Sequence, residues 1–360
     1  MSSVVTSTND DTTITTTKEE RRTIQIHGVT LPLLTEDVTT WYQSSLVTVQ
    51  QITQSGLQLL LQTSYKMQQV VQNQKKRKQT KSKSDMTNDN DTLLNSLSNQ
   101  VIGTIFYEAS TRTSCSFQTA TLRLHGTYIH IDGMGNTSTG KKGETLYDTI
   151  RCIQCYTDAI VLRHPVTGSI YTILQQHQQQ GSSLPISPTK PIINAGDGIG
   201  EHPTQALLDV YTMYTEFIIH RRKNIAPSTF IVVMLGDLKH GRTVHSLVQL
   251  LMTSTHKILY TEQLIIRCCA PNDALQLPAA IVDNSKKAST TSSMMIQIEY
   301  YTDPLLACRD ANVLYVTRIQ RERFHSDEDY NTVKVRFIVH LLVRFRHPAF
   351  VAYTRIYEIS

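Results

Sequence analysis

From residue 100 onward, short apolar runs alternate with amphipathic stretches, and this alternation limits the folds open to the chain. Helical spacing of apolar residues links successive runs, as at Phe117, Ala120 and Leu124, or at Val244, Leu247, Val248 and Leu251. The runs predicted as strands are Val101–Tyr107, Tyr128–Ile131, Ala159–Leu162, Pro191–Ala195, Phe230–Leu235, Leu264–Cys268, Met294–Ile298 and Asn312–Val316. Strand and helix in alternation predict parallel sheets with crossover helices.

Two such series, divided near residues 200–215, predict two α/β domains, each with a mainly parallel sheet flanked by helices. The 360 residues are enough for two separate cores. We therefore expect a first domain over residues 21–200 and a second over 201–335. Residues 31–71 are rich in helix-forming residues. The Thr-rich residues 1–20 are predicted to be disordered, and the polar residues 72–92 to be a solvated loop or linker.

The net charge of +5 comes from one polar stretch, because six Lys and Arg residues lie within 75–83 and the rest of the chain carries −1. A nucleic-acid surface would need basic residues spread over folded elements, so none is expected. The run from Lys75 to Lys78 is a charged loop or a nuclear address, and the charged loop is favoured.

Because Asp10, Asp11 and Glu19 argue against a mitochondrial presequence, and no apolar run approaches about 18 residues, we expect a cytoplasmic protein without a membrane span.

The six cysteines do not suggest a disulfide framework in a chain of this length. Cys152 and Cys155 form one CxxC within a helical pattern, without a second ligand pair or a thioredoxin-like setting. We predict that both are buried, reduced thiols and that the chain holds no metal.

The first motif with chemical meaning is FYEASTRTSCSF at 106–117, where a predicted strand runs into a helix. Backbone N–H groups at a helix start, together with the helix dipole, favour an anion. Arg112 adds a guanidinium suited to phosphate, and Ser110, Thr111 and Thr113 add hydroxyl donors. An ordinary N-cap would need one hydroxyl, so three around an arginine favour phosphate binding.

The next two motifs are weaker when taken singly. NTSTGKKGETLYDTI at 136–150 predicts a mobile loop that presents Lys141 and Lys142, which could equally be ordinary surface lysines. Arg163 leaves the carboxyl end of a predicted strand, the edge where open α/β sheets bind ligands, and a surface arginine is the alternative.

Three further motifs follow strand ends. In NAGDGIGEHPTQALLD at 194–209, a glycine turn precedes His202 and Gln205, which are expected one turn apart at a helix start, where they can hydrogen-bond a carbonyl or an amide. In MLGDLKHGRTVHSL at 234–247, Arg242 begins a helix and can meet a carboxylate. In LYVTRIQRERF at 314–324, Arg318 and Gln320 leave another strand.

Taken together, and in this order, these six motifs resemble those of the aspartate carbamoyltransferase family, in the form seen in animal-type multifunctional pyrimidine enzymes. The resemblance covers residues 100–325. The sister ornithine carbamoyltransferases share the STRT and HPxQ elements but lack the pair GRTVHSL and TRIQRERF, which is tied to aspartate.

The resemblance implies a carbamoyl-phosphate domain at 21–200, an aspartate domain at 201–335, and a homotrimer with shared active sites. It implies that Ser110, Thr111, Arg112 and Thr113 hold the phosphate. Carbamoyl transfer would be helped by Arg112 and by contacts to the carbonyl oxygen from Thr113, Arg163 and His202, and Gln205 would bind the amide nitrogen. Ser138 and Lys142 would come from a neighbouring subunit. The aspartate carboxylates would be bound by Lys142, Arg242, Arg318 and Gln320.

The implied reaction gives N-carbamoyl-L-aspartate and phosphate in pyrimidine (UMP) biosynthesis. We expect direct transfer, with no cofactor, metal or covalent intermediate, because no Ser-His-Asp arrangement or metal-ligand cluster is evident. Residues 336–360 depart from the family pattern after His347 and Pro348 and are expected to be a divergent, truncated tail. The alternative function is therefore an inactive carbamoyltransferase-like subunit with a structural or binding role.

Overall fold

The computed structural model describes residues 12–15, 23–80, 92–133, 135, 141–180, 190–220, 228–254, 261–288, 295–317, 326, 328, 330–331 and 351–354. The chain divides into two compact units, Met1–Thr204 and Gln205–Ser360. Each unit contains a parallel sheet with helices between its strands, which confirms the predicted fold class.

The first unit is built on a four-stranded parallel sheet in the order β5-β4-β6-β7. Its strands are β4 (Val101–Phe106), β5 (Thr127–Asp132), β6 (Ala159–His164) and β7 (Ile192–Asp197), and its helices are α1 (Gln54–Thr80), α2 (Thr111–Arg123), α3 (Leu146–Gln154) and α4 (Ser169–Gln180). Each strand overlaps a run that the apolar pattern predicts.

Side chains from alternate positions of these strands enter two separate cores. Ile102 and Phe106 of β4 pack in one cluster with Val161, and Phe117 of α2 lies against it. Ile105 packs in another cluster with residues of α3 and α4. Because successive side chains of a strand point to opposite faces, α2 covers one face of the sheet, and α3 and α4 cover the other.

A small antiparallel sheet before residue 33 was not predicted. It consists of β1 (Thr12–Thr15), β2 (Thr23–Ile26) and β3 (Val29–Pro32). The prediction of disorder over residues 1–20 is therefore wrong for Thr12–Thr15, whose backbone hydrogen-bonds to β2. In β2 and β3 every second residue is buried, and these apolar side chains join the core beneath α3 and α4: Ile24, Ile26, Val29 and Leu31.

Helix α1 continues to Thr80, so the loop predicted from residue 72 is wrong over 72–80. Lysine, arginine and glutamine have high helix propensity, and a polar segment can therefore extend a helix that is anchored by its buried N-terminal half, at Leu57 and Leu61. In the rest of the predicted loop, residues 81–91 lie outside the described residues, and Thr92 is helical.

The second unit has a five-stranded parallel sheet in the order β10-β9-β8-β11-β12. The strands are β8 (Thr229–Leu235), β9 (Gln263–Cys269), β10 (Met295–Tyr301), β11 (Val313–Val316) and β12 (Val351–Thr354), and the helices are α5 (Pro203–Tyr214), α6 (Arg242–Ser254), α7 (Ala279–Ala288) and α8 (Pro304–Ala307). Helix α5 begins two residues before the unit boundary. Within the predicted tail, the described residues are those of β12, in which Val351 pairs with Val313.

All six cysteines are free thiols, but their burial differs from the prediction. Cys152 and Cys155 are exposed, because they lie on the side of α3 opposite the buried Ile150 and Ile153. The buried cysteines are Cys268, Cys269 and Cys308, whose thiol pKa values are raised by burial to about 12, about 12 and about 11.

Within the described part of the chain, no helix has the length and apolar character needed to cross a membrane.

Candidate active site

The strand order of the first unit places a ligand-binding crevice at the carboxyl ends of β4 and β6. These two strands are neighbours, yet the chain leaves β4 toward β5 on one side and leaves β6 toward β7 on the other. The loops that follow them therefore diverge, and open α/β sheets bind ligands at such a point. Ser110–Thr113 follow the end of β4, and Arg163 is the second-last residue of β6.

Ser110 stands at the N-cap position of α2, but its side chain makes no capping hydrogen bond. Its hydroxyl therefore does not serve the ordinary N-cap role. Thr111 and Arg112 are exposed, and Thr113 is half-buried. The helix start thus presents first-turn N–H groups, hydroxyls and a guanidinium on one short segment, which suits an anion with several oxygens.

Arg163 is only 7% exposed, and two hydrogen bonds fix its guanidinium. One NH2 group lies 2.9 Å from Glu108 Oε1, and NH1 donates to the carbonyl oxygen of Ala195 at 3.2 Å. Glu108 lies two residues before Ser110, so the carboxylate that orients Arg163 belongs to the loop after β4. Sequence reasoning missed Glu108, although an acid between a strand and STRT was a visible signal.

The turn after β7 is organised by Asp197, which is 2% exposed. Its carboxylate accepts from the N–H of Gly168 at 2.9 Å and from the N–H of Glu201 at 2.7 Å. Gly198 has φ +48°, and a Cβ there would lie 2.5 Å from Thr167 Oγ1, so the turn requires glycine at this position. His202 follows this turn and is 3% exposed.

His202 precedes α5 instead of lying on it, because the helix begins at Pro203. Its Nδ1 is 3.3 Å from Thr204 Oγ1. Gln205 lies in the first turn of the helix and donates from Nε2 to Asp209 Oδ1 at 2.9 Å. His202 thus stands directly before the helix start and three residues from Gln205, since proline at the first helical position sets the start of the helix after it.

His164, next to Arg163, is a buried group that the sequence did not single out. Burial lowers the pKa of its imidazole, which favours the neutral form. Its Nδ1 accepts from Val166 N–H at 3.1 Å and lies 2.6 Å from Ser169 Oγ. A neutral imidazole thus supports the turn beside Arg163.

The second unit repeats the crevice topology at β8 and β11. Gly236 directly follows β8 and has φ +126°, and a Cβ there would lie 2.3 Å from the carbonyl oxygen of Thr317, the residue directly after β11. Arg242 is the first residue of α6 and is half-buried. The other predicted aspartate ligands of this unit, Arg318 and Gln320, lie outside the described residues.

Of the residues expected from a neighbouring subunit, Lys142 is exposed beside Gly143, whose φ is +73°. Ser138 lies outside the described residues. The described segments contain no group of three His, Cys, Asp or Glu side chains placed to hold a metal ion.

Residues 44–215 match the family model described as aspartate/ornithine carbamoyltransferase, carbamoyl-P binding domain. The aspartate carbamoyltransferase catalytic subunit of Picrophilus torridus is 39% identical over 244 residues, which are 68% of each chain. The multifunctional protein pyr1-3 of Dictyostelium discoideum is 40% identical over 268 residues, 73% of this chain. Those residues span only 10% of that much longer protein.

Solved structures give the same result. The catalytic subunit of M. jannaschii aspartate transcarbamoylase matches with a TM-score of 0.61 at 33% identity, over 81% of this chain and 79% of that one. The Trypanosoma cruzi aspartate transcarbamoylase in complex with carbamoyl phosphate and aspartate matches with a TM-score of 0.58 at 30% identity, over 77% of each. The chain belongs to the aspartate carbamoyltransferase family.

Proposed function

We propose that this chain transfers the carbamoyl group of carbamoyl phosphate to the amino group of L-aspartate, giving N-carbamoyl-L-aspartate and phosphate in pyrimidine (UMP) biosynthesis in the cytoplasm. One observation carries the proposal: the uncapped, hydroxyl-rich start of α2 and the buried, oriented Arg163 occupy the same sheet edge. The complex of the Trypanosoma cruzi relative with carbamoyl phosphate and aspartate supports the choice of substrates.

All the groups proposed for carbamoyl phosphate belong to the first unit except Gln205, which is the first residue of the second unit. The phosphate oxygens accept from the first-turn N–H groups of α2, from the hydroxyls of Ser110, Thr111 and Thr113, and from Arg112. Thr113, Arg163 and His202 donate to the carbonyl oxygen, and Gln205 binds the amide nitrogen. Arg242, with Arg318, Gln320 and Lys142, binds the two carboxylates of aspartate.

In the reaction, the lone pair of the aspartate amine attacks the carbonyl carbon and forms the new C–N bond. Negative charge develops on the carbonyl oxygen, where Arg163 and the other donors stabilise it. The oxyanion then collapses, the bond from the carbonyl carbon to the phosphate oxygen breaks, and phosphate leaves with that electron pair. The departing phosphate takes the proton that the amine nitrogen loses.

The test is a product assay with carbamoyl phosphate and either L-aspartate or L-ornithine. We expect N-carbamoyl-L-aspartate by mass spectrometry, and little citrulline, because cationic Arg242 attracts a carboxylate and repels a second ammonium. Arg112→Ala should lose most activity and keep its fold. The matched control is Arg123→Ala, which changes an exposed arginine in the last turn of the same helix. An inactive wild-type chain would instead favour the non-catalytic subunit, and faster turnover with ornithine would refute aspartate specificity.

We further propose a homotrimer in which Ser138 and Lys142 serve a neighbour's site. Arg112→Ala and Lys142→Ala chains should each be inactive, and mixed trimers should recover activity. Random mixing in equal amounts makes about one interface in four from two intact contributions, so recovery should approach a quarter of the wild-type rate. Light scattering should give a trimer, and a fully active monomer would contradict shared sites.

A further inference from the structure

We propose that Glu201 is a positioning residue for His202: its carboxylate joins the turn that leads into His202 to a backbone segment at residues 45–51. Glu201 does not touch the reacting atoms in this account. It acts by fixing the peptide that leads into His202. We call this link through the Glu201 carboxylate the tether. Its effect on catalysis rests on the proposed function, whereas the existence of the tether does not.

One end of the tether is the turn at 197–201. Asp197 Oδ1 accepts from the N–H of Glu201 at 2.7 Å, and the N–H of Gly200 donates to the carbonyl oxygen of Asp197 at 2.8 Å. A Cβ on Gly200 would lie 2.7 Å from Asp197 Oδ1, so the turn is closely packed on this side. Asp197 therefore fixes the backbone of Glu201 and leaves the Glu201 side chain to point elsewhere.

The Glu201 carboxylate contacts residues that are distant in sequence. Thr48 Oγ1 donates to Oε1 at 2.6 Å, and the backbone N–H of Val49 donates to Oε2 at 3.1 Å. Thr48 and Val49 are both 0% exposed. Val49 begins a 3-10 helix that ends at Gln51, and its N–H is a first-turn donor without an intrahelical partner. Loss of the carboxylate would leave this buried donor unsatisfied.

The other end of the tether is attached to the sheet. Leu46 N–H donates to the carbonyl oxygen of Ile192 at 3.0 Å, and Asn194 N–H donates to the carbonyl oxygen of Leu46 at 2.9 Å. The Asn194 side chain donates to the carbonyl oxygen of Val47 at 2.9 Å. Residues 45–47 thus run beside β7 as an added edge, which holds Thr48 and Val49 in place.

Both ends of the tether are therefore fixed to the first unit's sheet, one through Asp197 at the end of β7 and the other through the edge of β7. The Glu201 carboxylate connects these two fixed segments, and it does so at the residue directly before His202. A small shift of the Glu201–His202 peptide would move the imidazole relative to the carbonyl oxygen, whereas the start of α2 would be unaffected. The expected effect is on turnover and not on phosphate binding.

The central variant is Glu201→Gln, which keeps the size of the side chain and one acceptor oxygen, but replaces the other oxygen by an amide N–H₂ and removes the negative charge. Hydrogen–deuterium exchange should accelerate in peptides covering 45–51 and 198–204, with other peptides unchanged. The kcat should fall roughly ten- to a hundredfold, and the Kd of carbamoyl phosphate should stay within about twofold.

Thr48 provides the reciprocal variants. Thr48→Val removes the hydroxyl donor and should lower kcat, whereas Thr48→Ser keeps it and should restore kcat. Thr48→Val also removes the capping bond that Thr48 Oγ1 accepts from the Gln50 N–H at 3.1 Å, and this loss should appear in thermal stability. In kcat, Glu201→Gln combined with Thr48→Val should lose less than the sum of the two single losses, because both disturb the Thr48–Glu201 contact. The control is Thr229→Val on β8, where the threonine hydroxyl contacts Gln263.

Lower thermal stability with unchanged kcat and unchanged exchange at 198–204 would overturn the proposal, since Glu201 would then be only structural. Additive losses in the double variant would also overturn it. If the wild-type chain does not carbamoylate aspartate, the proposed function fails, but the exchange experiment still decides the tether. Selective acceleration in the two segments supports the tether, and uniform or unchanged exchange refutes it.

Discussion

The two sheets differ in strand number and order, but in each the chain leaves two neighbouring strands toward opposite sides, and the loops at these points differ in what they offer a ligand. In both, a central strand ends at the crevice and a helix begins with an arginine near its start, Arg112 of α2 or Arg242 of α6. After β4, Ser110 does not cap the helix, and its neighbours Thr111 and Arg112 are exposed. After β8, the loop contains a buried carboxylate, that of Asp237, which is 0% exposed.

Asp237 pairs with His240 Nδ1 at 3.0 Å and accepts from the His240 N–H at 3.1 Å. The N–H groups of Leu238 and Lys239 both donate to the carbonyl oxygen of Leu275. A phosphate dianion would meet a buried carboxylate and occupied amides here, whereas the loop after β4 presents donors. In the proposed function, loop chemistry and not sheet topology is therefore the reason that phosphate is placed in the first unit and a carboxylate at Arg242.

The largest expected effect is a loss of kcat on substitution of Arg163, compared with substitution of an arginine in a similar setting in the second unit. Arg163→Gln should lower kcat by about 10²- to 10³-fold, because it removes a preorganised donor to the developing oxyanion. Arg267→Gln is the control, since Arg267 also lies on a parallel strand, β9, and pairs with a glutamate, Glu299, at 2.9 Å. Its kcat should stay within about twofold. Equal losses in steady-state assays would show that a broken ion pair, and not catalysis, explains the effect.

Arg242→Ala should raise the KM for L-aspartate by roughly 10- to 100-fold, because a charge-assisted hydrogen bond contributes about 1.5–3 kcal/mol. The control Arg309→Ala changes an exposed arginine of the same unit. Initial-rate measurements over a range of aspartate concentrations decide this point. An unchanged KM would show that Arg242 does not bind aspartate. The proposed difference between the loops after β4 and β8 would then fail.

The apolar pattern predicted the parallel strands because Val, Ile and Leu dominate buried strands such as β8. It missed β1–β3 because four-residue strands rich in threonine carry little periodic signal. It misjudged the end of α1 because polarity marks exposure and not the absence of a helix. The motif residues at 110–113, 163 and 242 all fall at strand ends or helix starts, as predicted.

The supporting residues of the site were not predictable in the same way. Glu201 and Thr48 are separated by 153 positions, and no local pattern links them. Glu108 and Asp197 likewise contact residues distant in sequence, Arg163 and Gly168, because neighbouring strands bring these segments together at the sheet edge. Sequence spacing identifies ligand-binding groups on one turn, whereas the groups that orient them depend on tertiary contacts.

The turn glycines allow a stability test. Gly236→Ala should destabilise the second unit by about 2 kcal/mol or more, because it combines positive φ with a close approach to the Thr317 backbone. Gly133→Ala, at φ +77° with nothing within 4 Å of its Cβ, should cost about 1 kcal/mol. Equal shifts of the denaturant midpoints would show that the close approach at Gly236 contributes nothing.

The smallest effect concerns the buried histidines His164 and His245, one in each unit. Burial lowers the pKa of both, and His245 Nε2 donates to the carbonyl oxygen of Leu238 at 2.9 Å. Their unfolded pKa is about 6.5, so below that pH the unfolded chain binds more protons and stability falls. His164→Asn and His245→Gln keep the hydrogen-bonding atoms without titrating.

Each histidine variant should therefore lose less stability than the wild type between pH 7.5 and pH 5.5, by up to about 1 kcal/mol. Urea midpoints at the two pH values give the slope. An unchanged slope in both variants would show that neither histidine stays neutral in the folded units.

Equilibrium dialysis of carbamoyl phosphate with Arg112→Ala and Arg242→Ala chains tests most directly whether the two loops have separate tasks. We predict at least a tenfold weaker Kd for Arg112→Ala and a Kd within about twofold of wild type for Arg242→Ala. The opposite pattern, or equal weakening in both variants, would contradict the assignment of phosphate to the start of α2.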